Sequence, residues 1–146
     1  MYRIVSKEML TPTICRMKVE ASRLASAALP GQFLIIRADE QGERIPLTIS
    51  DFDKEAGTVT IVTQKIGAST AEICSYEEGD SFADVVGPLG IPSDFTEMSD
   101  EELAGKRYVF IAGGVGTAPV YPQVKWLHER GAKVDVIIGA KTSELV

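Results

Sequence analysis

The sequence is poor in the residues that most often carry catalysis or bind metal ions. It contains two cysteines, one histidine and one tryptophan in 146 residues. Cys15 and Cys74 are far apart and form no Cys-x-x-Cys pair, which favours two reduced, packed thiols. No spacing of Cys, His or carboxylates indicates a metal site. His128 stands beside Glu129 and Arg130 on a predicted helix, so we expect it to face solvent.

Positive charge and long apolar runs are also scarce. Lysine and arginine number 15 against 21 aspartates and glutamates, which gives a net charge of −6. A nucleic-acid partner would require a basic face, so this balance argues against one. No apolar run approaches the ~20 residues needed to span a bilayer. Residues 1–8 also lack the apolar core of a signal peptide. We therefore expect a cytoplasmic protein with no membrane partner.

The N-terminal part of the chain is rich in short strand patterns. The predicted strands cover residues 2–5, 13–19, 32–37, 45–49, 58–64 and 81–86. Pro46 indicates an edge strand or a bulge, and residues 51–57 are predicted as a charged hairpin loop. Ser69 or Thr70 is predicted to cap a short helix that continues to Tyr76. Six strands in about 90 residues fit a small antiparallel β-barrel, which removes exposed strand edges.

A predicted buried strand over residues 107–112 is followed by a glycine turn and a helix start. Gly113, Gly114 and Gly116 permit a sharp turn and the close approach of a ligand. Pro119 suits the first turn of a helix, whose N-terminal N–H groups can bind an anion. This pattern predicts a phosphate or dinucleotide site. The alternative is a turn that only packs helix on strand, because Pro119 replaces the third glycine of G-x-G-x-x-G.

A second buried strand is predicted over residues 133–138, after the helix, and completes the start of an α/β domain. Two parallel strands and one helix are too few to bury both faces of a sheet. We therefore expect residues 107–146 to be the front of a longer domain, apparently truncated here, or to be covered by another chain. The fold class is thus mixed, with a β-barrel domain over residues 1–98 and a partial α/β domain over residues 99–146.

Two further segments of the predicted barrel carry ligand-binding chemistry. In Arg44-Ile45-Pro46-Leu47-Thr48, the arginine offers a fork of donors to a pyrophosphate and Thr48 offers a hydroxyl to a ring nitrogen. About 20 residues later, Gly67-Ala68-Ser69-Thr70 offers a close approach and anion donors at a helix start. Taken singly, the first segment is better explained as a strand charge and the second as a helix cap. Their combination on a barrel that precedes the glycine turn favours a ligand site.

The order of these motifs resembles a known family. R-x-P-L-T, G-x-S-T, G-P-L-G and then a strand ending in G-G-V-G-x-A-P are similar to the ferredoxin–NADP reductase superfamily. The resemblance is closest to the alpha subunit of the NADH-dependent ferredoxin–NADP oxidoreductase. The electron-transfer subunit of dihydroorotate dehydrogenase and the sulfide dehydrogenase subunit belong to the same group. The resemblance covers essentially the whole chain.

The resemblance implies FAD bound by the barrel and a nicotinamide nucleotide, NAD(P), bound by the second domain. The implied flavin neighbours are Arg44, Pro46, Leu47, Thr48, Ile61, Val62 and Thr63, with Thr48 near the reactive N5 atom. The implied FAD phosphate ligands are Gly67, Ser69 and Thr70, and the implied nicotinamide-nucleotide residues are Gly113, Gly114, Gly116, Thr117 and Ala118.

The sequence departs from the family pattern at three points. The superfamily arginine lies three residues before the hydroxyl, where this chain has Ile45, so Arg44 is displaced by one position. Leu47 replaces the aromatic residue that usually stacks on the flavin. The relatives also carry a C-terminal cysteine cluster for a [2Fe–2S] centre, which Cys15 and Cys74 do not match. The centre is therefore expected only if a further C-terminal part supplies its ligands.

The function implied is that of an electron-transfer subunit of a flavin-dependent oxidoreductase. It would pass electrons between NAD(P)H, FAD and an iron–sulfur or ferredoxin partner, in a hetero-oligomer with a larger redox subunit. We expect this chain alone to be weakly active or inactive as an enzyme. One alternative is a non-catalytic assembly or regulatory module. Another is a nucleotide-dependent group-transfer enzyme, which the absence of G-K-[ST] disfavours. NAD and NADP remain equal candidates, because Asp135 and Lys141 are weak signals.

Overall fold

The computed structural model describes residues 2–143, and its N-terminal part consists mainly of antiparallel strands. The strands are β1 (Tyr2–Thr11), β2 (Ile14–Glu20), β3 (Phe33–Arg37), β4 (Arg44–Thr48), β5 (Asp51–Asp53), β6 (Thr58–Gln64), β7 (Ser81–Phe82) and β8 (Asp84–Leu89). Two helices, α1 (Ser22–Ala27) and α2 (Ala68–Ser75), lie between them. The strands form a five-stranded sheet, β5-β6-β2-β1-β7, and a three-stranded sheet, β4-β3-β8.

All six predicted strands are present, but the described residues of this part contain eight strands. The predicted hairpin loop over residues 51–57 begins with β5, because Asp51 to Asp53 pair with β6. The last predicted strand is interrupted at Ala83, whose N–H donates to the carbonyl of Ala38 at 3.0 Å. Pro46 lies on an edge strand, as predicted, since β4 is the first strand of its sheet. Closure of the two sheets into a barrel stays a prediction.

The C-terminal part begins with short helical segments and then forms a β-α-β unit. Asp94–Glu97 is a 3₁₀ turn and α3 covers Asp100–Ala104. The unit consists of β9 (Arg107–Gly113), a 3₁₀ turn (Gly114–Gly116), α4 (Thr117–Glu129) and β10 (Lys133–Gly139). β9 and β10 are parallel, with Arg107 opposite Lys133 and Gly113 opposite Gly139. The predicted strand, glycine turn, helix and second strand are therefore confirmed.

Two hydrophobic clusters divide the buried side chains. The main core lies within residues 4–85 and includes Ile4, Leu34, Ile61 and Phe82, each at most 1% exposed. A second, smaller cluster centres on Leu103, Leu127 and Ala132, with the predicted-barrel residues Phe95 and Met98 packed against it. None of the helices within residues 2–143 combines the length and the apolar character that a membrane crossing requires.

The strands β9 and β10 are less buried than the sequence predicts. Ile111 is 78% exposed, Val109 57% and Ile137 56%. Tyr108, Phe110 and Val134 pack on the small cluster, so the helices cover one face of this pair of strands. Within residues 2–143, no element covers the other face. The two strands are therefore buried on one face only within the described residues, which agrees with the expectation that two parallel strands and one helix are too few to bury both faces of a sheet.

Candidate functional site

The fold brings the two N-terminal motif segments together. The hydroxyl of Ser69, in the first turn of α2, donates a hydrogen bond to the carboxylate of Glu43. Glu43 directly precedes β4, which carries Arg44 to Thr48. The segments are 26 residues apart at this contact, so only the tertiary fold makes them neighbours. Glu43 was not predicted as a site residue.

The motif residues on β4 lie along an edge of the three-stranded sheet. Pro46 is exposed, whereas Leu47 and Thr48 are half-buried. Thr48 stands opposite Phe33 in the antiparallel ladder with β3, and Leu47 stands opposite Leu34 of the main core. In its sheet β4 pairs with β3 alone, so its other backbone edge has no strand partner among the described residues. Thr48 is therefore fixed by backbone pairing at the border between core and solvent.

The N-terminus of α2 is open to a ligand. Gly67 is the N-cap residue, and a Cβ atom added there would meet nothing within 4 Å. The first N–H in the helical ladder belongs to Ala71 and donates to the carbonyl of Gly67 at 3.0 Å. The N–H groups of the preceding turn are outside that ladder and point toward the helix start. An anion at this position would also gain from the positive end of the helix dipole.

The predicted N-cap at Ser69 or Thr70 is wrong, because the helix begins at Ala68. The Thr70 hydroxyl reaches backward and accepts from the N–H groups of Ile66 at 2.9 Å and Gly67 at 3.0 Å. It also donates to the carbonyl of Gly67 at 3.1 Å. Thr70 thus shapes the turn before α2, and its hydroxyl already has partners there.

Charged side chains surround this pair of segments. Nη1 of Arg44 donates to the Asp84 carboxylate on β8 at 3.0 Å, and the Arg44 side chain remains 55% exposed. This contact uses Nη1 alone, so other N–H groups of the exposed guanidinium can still contact a phosphate. Asp84 and Glu43 give the neighbourhood two carboxylates that the sequence analysis missed. The only available signal was their charge, which is common on strand ends and loops.

The three motif residues on β6 differ in how they face the solvent. Ile61 is fully buried in the main core and pairs with Met17 of β2. Thr63 is 1% exposed, and its hydroxyl has no hydrogen-bond partner among the described residues. Val62 is half-buried and points to the opposite side of the strand. Only the Val62 side chain and the backbone of β6 are therefore available to a ligand outside the core.

The glycine turn after β9 has the geometry of an open ligand cradle. Gly114 has φ of +55°, a backbone conformation that favours glycine. A Cβ atom at Gly114 or Gly116 would meet nothing within 4 Å. α4 then begins at Thr117, with Pro119 in its first turn, as the sequence predicts. Thr117 and Ala118 are half-buried at this helix start.

Contacts of α4 link the glycine turn to the N-terminal sheets. Lys125 Nζ lies 2.8 Å from the carboxylate of Asp51, and Asp51 follows Thr48 by three residues in the sequence. Residues of β5, the loop after it and α4 line a cleft of about 480 Å³. In this cleft the Arg130 guanidinium lies 3.4 Å from the centre of the Trp126 ring. His128, on the same helix, is exposed as predicted.

Comparisons with known proteins were made for the whole chain, and no family model matches it. An uncharacterised protein of Clostridium beijerinckii is 58% identical over 146 residues, covering all of this chain and 49% of that protein. A dihydroorotate dehydrogenase B (NAD+) electron transfer subunit homologue of Thermotoga maritima is 38% identical, covering 97% of this chain and 48% of its own length.

Solved structures agree with these sequence relatives. The NADH-dependent reduced ferredoxin–NADP oxidoreductase, a flavin-based electron-bifurcating protein, is 36% identical with a TM-score of 0.89. The match covers 100% of this chain and 51% of that one. The resemblance to the ferredoxin–NADP reductase superfamily is confirmed.

Phthalate dioxygenase reductase shares the fold of this superfamily at 20% identity, with a TM-score of 0.76 over 99% of this chain and 44% of its own. The chain spans about half the length of the relatives that it matches. The matched region therefore occupies about half of each of these longer proteins.

Proposed function

We propose that this chain binds FAD and begins a nicotinamide-nucleotide domain in the electron-transfer subunit of a flavin-dependent oxidoreductase. The observation that carries the proposal is the similarity to the NADH-dependent reduced ferredoxin–NADP oxidoreductase, at 36% identity and a TM-score of 0.89 over the whole chain. Electrons would pass between NAD(P)H, FAD and an iron–sulfur or ferredoxin partner. We propose a flavin domain, residues 1–98, and a partial nucleotide domain, residues 99–146. The two separate hydrophobic clusters support two units, although Phe95 and Met98 of the first unit pack on the second cluster.

The residues around β4 and α2 fit a flavin with a pyrophosphate. The Ser69 hydroxyl already donates to a carboxylate oxygen of Glu43, which stands in for an anionic ligand oxygen at the same donor. The open space at Gly67 leaves room for a phosphate beside the N-terminal N–H groups of α2. The half-buried Thr48 supplies a hydroxyl where the ring system would border the main core. These features support a pyrophosphate at α2 and a ring along β4.

Each residue would act by binding and orienting the cofactor. We assign the phosphates to Gly67, Ser69 and Thr70, although Thr70 would contribute mainly through its backbone. We assign the face of the ring to Pro46, Leu47 and Val62, with Ile61 and Thr63 contributing backbone atoms. Thr48 would hold a hydrogen bond at a ring nitrogen, and Arg44 would supply positive charge near the phosphates through N–H groups that do not contact Asp84. The flavin, when bound, supplies hydride acceptance and one-electron transfer.

The nicotinamide nucleotide would bind at the glycine turn. Gly113, Gly114 and Gly116 keep the backbone uncovered, and Thr117 and Ala118 begin the 13-residue helix α4. The positive end of that helix favours the nucleotide phosphates. A larger redox subunit or a ferredoxin would receive the electrons. A [2Fe–2S] centre would need cysteines outside this chain, and the cytoplasmic location stays a prediction.

The test is a titration of the purified chain with FAD, followed by visible absorption. We expect the wild type to acquire the bands of bound oxidised flavin. The double variant Thr48→Val, Ser69→Ala should bind at least about tenfold more weakly, because two hydrogen bonds to the ligand are lost. Ser75→Ala is the matched control, since Ser75 lies at the far end of α2 and its hydroxyl bonds only the Glu72 carbonyl.

A second variant in the same titration is expected to bind FAD more tightly than the wild type. Glu43→Gln removes a negative charge that competes for the Ser69 hydroxyl, so FAD should bind a few-fold more tightly. A wild type that remains colourless with excess FAD would contradict the proposal and favour a non-catalytic module. Equal affinities in all four proteins would remove Ser69 and Thr48 from the site.

A further inference from the structure

Two cysteines that are distant in sequence meet in the main core. Cys15 lies on β2 and Cys74 on α2, 59 residues further along the chain. Their Sγ atoms are 2.8 Å apart, and the two residues are 0% and 2% exposed. Both are free thiols. Neither cysteine is among the residues assigned to flavin or nucleotide binding.

The surroundings of the pair join three elements of the fold. Cys15 stands opposite Thr63 in the ladder between β2 and β6. Sγ of Cys74 donates to the Thr63 carbonyl at 3.6 Å, so α2 is held against β6 at this point. The Thr63 hydroxyl beside them has no hydrogen-bond partner among residues 2–143. The thiol pair thus lies where α2 packs on the five-stranded sheet.

We propose that Cys15 and Cys74 form a reversible disulfide that tethers α2 to β2. A covalent S–S bond is about 2.05 Å long, so the two sulfur atoms need to approach by only about 0.8 Å. The pairing of β2 and the position of α2 therefore already bring the two sulfur atoms close to bonding distance. The two cysteines have been brought together by folding, whereas in the unfolded chain they are separated by a long loop.

The oxidant is a small disulfide such as oxidised glutathione. One protein thiolate, after losing its proton to water, attacks the small disulfide and releases one glutathione thiolate. The second protein thiolate then attacks the protein sulfur of this mixed disulfide and releases the second glutathione thiolate. Two S–H bonds are lost and one S–S bond forms in the protein, while the two electrons reduce the small disulfide to two thiols.

The environment makes this exchange slow in the closed fold. Burial, reinforced by the hydrogen bond to Cys74, raises the pKa of the Cys15 thiol to about 12, so its reactive thiolate is scarce. A small disulfide also has no path to either sulfur while α2 is in place. Oxidation and reduction therefore both require α2 to move away from the sheet. The disulfide therefore forms and breaks slowly, and while it is present it restrains α2. It does not respond rapidly to a change in redox conditions.

The helix that would be locked carries Gly67, Ser69 and Thr70 at its N-terminus. A tether near its C-terminal end limits the opening of α2 and holds this turn in its closed position. We expect the oxidised chain to bind FAD more tightly than the reduced chain, because less ordering is needed on binding. This consequence rests on the proposed flavin site, whereas the disulfide itself does not.

The experiment measures the thiol–disulfide equilibrium of the full chain against glutathione, in buffer and in urea. Free thiols are trapped by alkylation and counted by mass spectrometry. We expect the ratio of disulfide to dithiol to be at least about tenfold higher in the folded chain than in the unfolded chain. A ratio that is equal or lower in the folded chain overturns the proposal. No FAD is needed, so a failure of the flavin site leaves this measurement intact.

Stability supplies a second, independent readout. The chain is oxidised while unfolded, refolded, and compared with the reduced chain in urea. The oxidised chain should unfold at a higher urea concentration, because a bond favoured by folding must in turn favour folding. Cys15→Ala and Cys74→Ala should each lose this difference between oxidant and reductant, whatever their own stability. An oxidised wild type that unfolds at the same or lower urea concentration overturns the tether.

Discussion

The two hydrophobic clusters differ in how completely they enclose their strands. In the N-terminal part, Leu34 and Ile61 have no exposed surface, because each sheet is covered by the other or by a helix. In the C-terminal part, Leu127 is equally buried, yet Ile111 on β9 is 78% exposed. Antiparallel sheets commonly leave one face to solvent, whereas a parallel pair is stable when both faces are covered.

This difference bears on the two proposed binding sites. The β4 and α2 segments rest on a core that is complete within residues 4–85, so their geometry is supported by this chain alone. The glycine turn rests on β9, one face of which has no cover within residues 2–143. Flavin binding should therefore tolerate changes in the C-terminal part. Nucleotide binding should depend on whatever covers the open face.

The largest expected effect compares one buried and one exposed aliphatic residue. Leu34→Ala should lower the free energy of unfolding by about 2–5 kcal/mol, because it leaves a cavity under β4. Ile111→Ala should change it by at most about 0.5 kcal/mol. Urea unfolding followed by far-ultraviolet circular dichroism measures both. An Ile111→Ala effect as large as that of Leu34→Ala would mean that the open face is covered in solution.

A smaller effect tests whether the two clusters unfold together. Leu127→Ala should destabilise the C-terminal cluster by about 2 kcal/mol, near the low end for a buried leucine, because so small a cluster can collapse around the gap. The single tryptophan, Trp126, reports on α4 by fluorescence, while urea-dependent hydrogen exchange of the amides in β1–β8, followed by mass spectrometry, reports on the N-terminal part. We expect the fluorescence transition to move to lower urea and the exchange transition of β1–β8 to stay.

The neighbouring variant His128→Ala is the control, since that side chain is exposed and should leave both transitions unchanged. If Leu127→Ala moves both transitions together, the two clusters form one cooperative unit. In that case the two parts on either side of the proposed boundary between residues 98 and 99 do not unfold independently.

The elements of the fold that depend on local patterns could be predicted from the sequence. The alternation of apolar and polar residues predicted β2, where Cys15, Met17 and Val19 are all buried. The glycines before α4 predicted the turn at its start. The three-residue strand β5 was missed because its charged sequence forms a strand only through pairing with β6. The start of α2 was misplaced because Thr70 bonds backward to the turn.

The contacts that define the site and the thiol pair are long-range and were not predictable. Ser69 meets Glu43 across 26 residues, and Cys15 meets Cys74 across 59. Single-sequence patterns carry no signal for such contacts, because any polar or small side chain at these positions gives the same local periodicity. The motifs could therefore identify which segments bind a ligand, but not the carboxylates that compete for the same donors.

The smallest expected effect concerns the ion pair between the two parts of the chain. Lys125 Nζ on α4 lies 2.8 Å from the Asp51 carboxylate on β5, with side chains 38% and 28% exposed. The hydrogen bond to Asp51 raises the pKa of Lys125 above its usual value of 10.5. A raised pKa in the folded state means that the stabilisation is fully present below pH 10.5 and is lost as the pH rises through the folded value.

Lys125→Met keeps most of the aliphatic stem and removes the charge. At pH 7 it should lower the free energy of unfolding by about 0.5 kcal/mol, a modest value because both partners are partly solvated. The gap between wild type and variant, measured by Trp126 fluorescence in urea, should close as the pH rises above 10.5. Lys54→Met, on the rim of the same cleft, controls for a general loss of positive charge. A gap that persists at high pH would assign the effect to packing of the stem, and the two parts would then be joined by shape and not by charge.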